Sequence, residues 1–553
     1  MRTSHDLSCY EVRVLETSQT GCGSCRTPLW IVQHRERPLQ TLEKKQWIVS
    51  KDKACPNEEC PEVDKPVRPE EEGCLPLLYQ SEYGLDVVVA VGEMRETEAK
   101  TFREAHHILT DRYGIEISER HVSNLYRIFL SLVHCVNADF EPLRDMLRLQ
   151  GRLILSVDGV QFDGVSAVLY VVREILSGEV LYSVRVEKRD AIHLERLLLK
   201  VKALGIPVTA IVSDKEKGLL PAVERAFPGV SHQYCQSHYL GNLKKPMDEE
   251  LTQLGNGVSK IVSAVKALSR KVSVLEEEQA ASGATAPKYA KSEVTAEEMN
   301  LVNELCSAAV AGGKTSGDPI LGPAQVRRFE RLDKVRAVAE QAARKEGSEW
   351  KLLGALITIL SLISGHAALA IRLLRQVEIV RGVAHILNSK ATAKEVQMNL
   401  RTYLDQLAVV ASGKQVDSKF ASFIHRLTAV SNRYWKGLFH CYDNSDIPRT
   451  DNALEQLFSL FKRYARKITG RKSTSGGPLE SYAALVLEAW STVRLRPEYA
   501  DLVNKVPREA LLVARAELET LAGPARKRRS IQRDPDRHLQ ELLDEWFDPS
   551  ATK

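Results

Sequence analysis

The stretch Gly151–Gly164, GRLILSVDGVQFDG, sets a carboxylate, Asp158, inside a run of leucine, isoleucine and valine that otherwise reads as the middle of a buried strand. In such surroundings even a neutral polar group without a partner costs on the order of 2–7 kcal/mol. Asp158 therefore needs a cation, a hydrogen-bond network or the edge of a cleft.

The residues that follow define the setting. LILSVDGVQF is a strand, Asp163-Gly164 is a pair that closes a tight hairpin, and VSAVLYVVREI returns as its partner. Ser177–Glu179 turns the chain into a third strand, VLYSVRVEKR. IHLERLLLKVKALG has helical spacing and ends at Gly205, and IPVTAIVSDKEKG is a fourth strand running into a second carboxylate, Asp214. A helix over Leu219–Phe227 and a short strand around VSHQYC complete the series. If the meander puts the first strand at the sheet centre with the fourth parallel beside it, Asp158 and Asp214 come side by side and a shared divalent cation neutralises them. The plainer alternative for Asp214 is a strand-end aspartate capping a turn.

A third carboxylate is expected from a helix packed on the sheet, within RTDNALEQLFSLFKRYARKITGRKS. Thr450 or Asp451 can cap it, Leu454, Leu457, Phe458 and Phe461 form its apolar stripe, and Glu455 lies near the stripe's edge. Downstream, Lys462, Arg463, Arg466, Lys467, Arg471 and Lys472 follow without an acid between them, which suits a phosphate backbone. A solvated amphipathic helix, the alternative, normally mixes signs.

Ahead of this region, Cys22-x2-Cys25 and Cys55-x4-Cys60 are two knuckles able to aim four thiolates at one Zn2+ ion, as in a zinc ribbon. Cys9, Cys74 or His34 can substitute as ligands, and scattered buried cysteines are the alternative. Two helices, Thr97–Tyr113 and Glu119–Val133, separated at Gly114 with Ser118 as N-cap, have a helix-turn-helix layout. It would turn Glu119, Arg120, His121, Ser123 and Asn124 toward a DNA groove, although any helical hairpin looks alike at this level.

At 553 residues and 44% hydrophobic, the chain is long enough for several domains. Its formal charge of +5 is too near balance to imply a nucleic-acid partner without local clustering. MRTSHDLSCYEVRV has no apolar leader, so a cytoplasmic setting with reduced thiols is expected. After about Met247 the pattern is helical for two hundred residues, with loops expected over Glu276–Glu298 and Ala311–Pro323. The run Leu352–Ile371 is long enough for a membrane span, but Gly354, Ser361, Ser364 and His366 interrupt it and favour a buried helix, so no membrane is expected. Trp350 and Trp435 either stack on an extruded base or belong to the helical core. The tail holds the basic ARKRRS, Ala525–Ser530, and an amphipathic helix over His538–Trp546.

The motifs SVDGV, AIVSDKEKGL, YCQSHYLGNLKK and PRTDNALEQLFSLFKRYARKITG, spread over Leu153–Ser473, resemble those of DDE transposases, particularly bacterial insertion-sequence and Mutator-like enzymes. The resemblance implies an α/β RNase H-like core interrupted by a large all-α insertion, with Asp158, Asp214 and Glu455 as the catalytic and Mg2+ (or Mn2+) binding triad. Cys235 and His238 match a Cys-x2-His pair found after the second aspartate in several such families; a structural or DNA-contacting role, a metal role and plain core packing all remain open for them. The expected division is a cysteine module over 1–90, a helix-turn-helix region over 91–148, the core over 149–246 and 441–500, the insertion over 247–440 and a tail over 501–553. The implied partners are double-stranded DNA, as transposon ends and target, and at least one further copy of the chain when bound to DNA. In a bacterial cell such a protein is cytoplasmic and nucleoid-associated. A non-catalytic regulator derived from a transposase and a nuclease without strand transfer are the rival readings; a zinc hydrolase lacks the required ligand cluster.

Overall fold

The computed structural model describes residues 7–74, 81–138, 141–161, 168–186, 190–282, 294–311, 323–346, 350–413, 416–470, 478–496 and 498–547. Strands β1 (Glu11–Glu16), β2 (Trp30–Gln40) and β3 (Lys45–Ala54) precede helices α1 (Leu85–Glu96), α2 (Phe102–His107), α3 (Glu119–Ala138) and α4 (Glu141–Gln150). Next come β4 (Leu153–Gln161), β5 (Val168–Glu174), β6 (Val180–Val186), α5 (Ala191–Lys202), β7 (Val208–Ser213), α6 (Leu219–Ala226), β8 (Ser231–Tyr234) and α7 (Gln236–Lys244). A helical series follows: α8 (Asp248–Ser282), α9 (Ala296–Val310), α10 (Ala324–Glu346), α11 (Lys351–Ser361), α12 (Ala367–Leu387), α13 (Ala393–Ala411), α14 (Ser418–Tyr434) and α15 (His440–Asp443). The chain closes with α16 (Asn452–Thr469), α17 (Pro478–Leu495), α18 (Tyr499–Val503), α19 (Arg508–Arg533) and α20 (Pro535–Phe547). Contacts divide it into two compact units, 1–211 with 216–230 and 451–553, and 212–215 with 231–450.

The architecture is mixed α/β with two sheets, ordered β1-β3-β2 and β6-β5-β4-β7-β8. The three-strand meander is antiparallel, with Asp158 opposite Val171 and Val171 opposite Ser183, and β4 is indeed central, with β7 its other neighbour. The Asp163-Gly164 turn lies outside the described residues.

In the first unit β4 is covered on both faces, and its alternation sorts its side chains. Leu153, Leu155 and Val157 share a core with Leu194, Leu198 and Ala222 of α5 and α6. Val160, of opposite parity, packs with Leu454, Phe458 and Phe461 of α16 and with α3 and α17. Two-sided burial is why the strand reads as continuously apolar.

Several local expectations shift for identifiable reasons. The helix expected from Thr97 starts only at Phe102, because Thr101 and Glu104 form a capping box and Ala99 has φ of +52°. It passes into a π-helical turn over Ile108–Arg112 and stops at Gly114, whose φ is +64°. Ser118 caps α3 through its hydroxyl, which accepts from the His121 amide at 3.3 Å, and α3 runs past Val133 to Ala138 because Val136 is also buried. Helix α1, α4 and the first sheet were not anticipated. Of the charged loop expected over Glu276–Glu298, the start through Ser282 belongs to α8 and the end from Ala296 to α9; residues 283–293, and 312–322 of the other expected loop, fall outside the described set. The apolar run Leu352–Ile371 is two helices joined by a 3-10 turn over Leu362–His366; Leu353, Leu356, Leu360 and Ile363 are buried while Leu362 and Ile371 are exposed, so the expectation of a buried helix holds for one face only.

The C-terminal end of α1 ties the first unit together. Glu96 is fully buried and accepts hydrogen bonds from the hydroxyls of Tyr126 on α3 and of Tyr464 on α16, the latter at 2.6 Å. Arg494 of α17 donates to the Glu96 carbonyl at 3.2 Å, and the buried Arg95 lies 4.1 Å over the Phe102 ring. Burial pushes the Glu96 carboxyl up from 4.5 to about 7, against the opposing pull of the two tyrosines and of Arg95 and Arg494. Between those two values the folded chain holds a proton that the unfolded chain releases. The Glu96 contribution therefore weakens as pH rises through that window, by a total on the order of 3 kcal/mol, and levels off above about 7. Thermal unfolding of wild type and Glu96→Gln from pH 5 to 8 is expected to give similar Tm values at the acid end and a wild type that falls progressively below the variant toward pH 7; a difference independent of pH would contradict this.

Candidate active site

The three acids singled out in the sequence sit on distinct elements. Asp158 lies on β4 and is half-buried, and its carboxylate accepts from the Gly159 amide at 2.7 Å. It shares the parity of Val160, so it belongs to the face of β4 on which α16 packs. Glu455 is exposed in the first turn of that same α16, beside the buried Leu454. Asp451 occupies the N-cap position through its backbone, its carbonyl accepting from Leu454 and Glu455, without a side-chain cap. The first unit thus brings the elements carrying Asp158 and Glu455 together.

Asp214 follows the end of β7, in the short piece that belongs to the second unit. Its surroundings there are built by β8, α7 and α14. The Cys235 amide donates to the Ser213 carbonyl at 2.8 Å, tying the turn into α7 to the residue before Asp214. The Ser213 hydroxyl and His232 Nε2 lie 2.7 Å apart, and burial lowers that imidazole to about 4, helped by the nearby charges of His440 and Lys436. His232 is therefore neutral at physiological pH and serves as a hydrogen-bonding partner. The Lys215 ammonium sits 5.8 Å from the Tyr234 ring and 5.9 Å from the Tyr434 ring. Burial, with a contribution from the charge of Asp214, raises the Tyr434 hydroxyl to about 12. Gly437 permits this packing, since a Cβ there would stand 2.6 Å from the Tyr234 ring and 2.7 Å from the His232 carbonyl.

Cys235 is fully buried at the N-cap of α7 and His238 is half-buried on its first turn. Between them Gln236 is structural: its side-chain amide donates to the Leu438 carbonyl at 3.2 Å and to the Tyr442 hydroxyl at 3.1 Å, and its backbone amide donates to the Arg449 carbonyl. Arg449 in turn donates to the carbonyls of Leu387 and Ser389 and lies over the Tyr442 ring. His232, Lys215 and Tyr434 escaped sequence reasoning. His232 stood within the strand VSHQYC, but nothing in its spacing separates it from a core histidine; Tyr434 is 220 residues away from Asp214 in sequence.

On α16, Arg463, Arg466 and Lys467 are exposed and Lys462 half-exposed; Lys467 donates to the Glu98 carbonyl at 3.1 Å. Arg471 and Lys472 lie outside the described residues. On α3, Arg120 is exposed, whereas His121 and Asn124 line an open cleft of about 550 Å3 between α3 and α19, bordered by Tyr83, Arg127, Arg515 and Glu519. Trp435 stacks on Arg401 at 4.2 Å and packs edge-on to Phe439, a role within the helical unit.

The N-terminal knuckles converge. Cys22, Cys25, Cys55 and Cys60 place their sulfurs within 4.8 Å of one another, with Cys22 to Cys60 at 3.7 Å and Cys25 to Cys55 at 3.4 Å. Tetrahedral Zn–S bonds of about 2.3 Å require sulfurs roughly 3.8 Å apart, so the donor set fits Zn2+. The first knuckle is held by the Cys22 amide on the Thr27 carbonyl and by Arg26 at φ of +62°; the looser second is closed by the Cys60 amide on the Asn57 carbonyl. A hydrogen bond with the Thr27 hydroxyl holds the Cys25 thiol down at about 6, whereas burial pushes Cys55 up to about 12.

Residues 116–296 match the family model described as transposase, Mutator family. A search of curated proteins returned no match. Among solved structures, the Drosophila P element transposase strand transfer complex aligns at 12% identity and a TM-score of 0.30 over 76% of this chain and 93% of that chain, a likeness too slight to establish a shared fold. Across residues 116–296, the segment that contains Asp158, Asp214, Cys235 and His238, the chain resembles the transposases of the Mutator family.

Proposed function

We propose that the protein is a DNA transposase that binds the terminal repeats of its element, cleaves a strand at each end and joins the freed 3′-hydroxyl to target DNA. The observation that carries this is the Mutator-family match over 116–296, which spans two of the three acids. We read the five-stranded sheet as an RNase H-like core, with its central β4 flanked by β5 and β7, and the helices of the second unit as the insertion.

In this scheme Asp158, Asp214 and Glu455 hold the divalent cations. They offer only carboxylate oxygens, the donor set that Mg2+ or Mn2+ prefers. Two bound ions at such a site supply activation of the attacking oxygen and stabilisation of the leaving one. The protein's own share is positional. Packing of Leu454 and Phe458 against Val160 fixes the start of α16 relative to β4, and the Ser213–His232 and Cys235–Ser213 contacts hold the residue that precedes Asp214. The cations Lys462, Arg463, Arg466 and Lys467 bind the phosphate backbone, and Arg120, His121 and Asn124 at the start of α3 contact the ends as part of a helix-turn-helix. The four cysteines hold a structural Zn2+ in a zinc ribbon-like module, and Cys235 and His238 support the active site. Joining two ends requires at least a dimer on DNA.

With DNA carrying the element's own ends and Mg2+, Asp158→Asn, Asp214→Asn and Glu455→Gln are each expected to lower cleavage and joining by more than about 100-fold, a larger loss than removal of outer-shell partners causes, while end binding survives. An active Glu455→Gln would move the third acid to Asp443, Asp446 or Asp451. Wild type that binds ends without cutting them would instead support the regulator, and cutting without joining the nuclease. Purified protein should carry one zinc per chain; chelation or Cys60→Ser should remove it and lower the Tm, and an unchanged Tm after complete chelation would show that these thiols hold no structural ion.

A further inference from the structure

Helix α8 departs from the charge habit of the second unit. Leu251, Leu254, Val258, Ile261, Val265, Leu268 and Val272 are buried at alternating steps of three and four, and α8 packs with α9, α10 and α11. Between Glu250 and Glu276 there is no acidic residue, yet Lys260, Lys266, Arg270 and Lys271 all lie there and all are exposed. At 100° per residue these four fall on the side of the helix opposite the buried stripe.

Elsewhere in this unit several arginines pair with acids on their own or a neighbouring helix. Arg336 pairs with Asp333 and Glu340 at 2.7 Å each, Arg372 with Glu250 and Asp417 at 2.8 Å each, and Arg381 with Glu378. None of the four α8 cations makes a hydrogen bond or ion pair among the described residues. Beside them an open groove of about 650 Å3 between α8 and α9 is lined by Lys266, Ser269, Arg270 and Ser307. No large apolar side chain is exposed between Lys260 and Lys271, whereas the centre of a protein interface is apolar and depleted of lysine.

We propose that this face of α8 is a third DNA-binding surface, which grips the duplex backbone through phosphates without reading sequence. From Lys260 to Lys271 the helix rises about 16 Å, the length over which one DNA strand presents about five phosphates. The surface rests on the proposed action on DNA and extends it to a unit with no DNA contact so far assigned.

The test is equilibrium binding of the full-length protein to a mixed-sequence duplex across a NaCl series. Relative to wild type, the variant combining Lys260→Ala, Lys266→Ala, Arg270→Ala and Lys271→Ala should bind more weakly, with a log K against log salt slope shallower by about 3–4, since each neutralised phosphate contributes about 0.9. The charge-keeping set Lys260→Arg, Lys266→Arg, Arg270→Lys and Lys271→Arg should retain the wild-type slope, and an unchanged Tm in both variants confirms folding. Equal affinity and slope for the alanine variant would overturn the surface. The same result with lost binding to polyglutamate would assign the face to an acidic protein, also against the proposal. Wild type that binds no duplex would overturn both this surface and the DNA reading beneath it.

Discussion

The two-sided burial of β4 is the constraint on which the candidate site depends. A strand packed by α5 and α6 on one face and by α16 and α17 on the other must divide its side chains by parity, and that division assigns Asp158 to the face of α16. A slip of one residue would send Asp158 toward Leu194 and Leu198 and put Val157 where the carboxylate now stands. The antiparallel register with β5, with Asp158 opposite Val171, guards against that slip, because Val171 belongs to the same α16-side core.

The helix that brings Glu455 is held at two heights. Leu454 and Phe458 seat its start on the sheet, while Tyr464 reaches the buried Glu96 two turns later. Glu96 also takes the hydroxyl of Tyr126 from α3. The element bearing the candidate third acid and the element bearing the candidate end-binding residues therefore share one buried carboxylate. A group so placed is costly to leave unpaired, so the helices that satisfy it are held in one arrangement.

Charge is distributed with similar economy. Some arginines of the helical unit are held by acids, as Arg372 is by Glu250 and Asp417, and others by rings and carbonyls, as Arg401 is by Trp435 and Arg449 by Leu387 and Ser389. Where acids are missing over a whole helical face, as along α8 or the second half of α16, the cations face solvent. Net charge near balance conceals this contrast, which exists only at the level of individual faces.

The strand and helix order from Leu153 to Tyr234, the paired cysteine knuckles and the basic half of α16 were legible in the sequence, because strand alternation, helical periodicity and short ligand spacing are local properties. The motifs that resemble transposases were legible for the same reason, each lying within a few consecutive residues. Long-range packing decided the rest. Which two cysteine pairs meet became clear only when β3 carried Cys55 and Cys60 to the first knuckle, and the residues flanking Asp214 acquired His232 and Tyr434 as neighbours only because β8 and α14 bring those side chains to Ser213 and Lys215. Helix α1 escaped notice because its start has no side-chain cap and apolar residues run around much of its surface; its burial among α3, α16 and α17 supplies the reason it is a helix. Sequence alone determined which residues can do chemistry; the tertiary structure decided which of them meet, since burial and pairing across hundreds of residues leave no periodic trace in the chain.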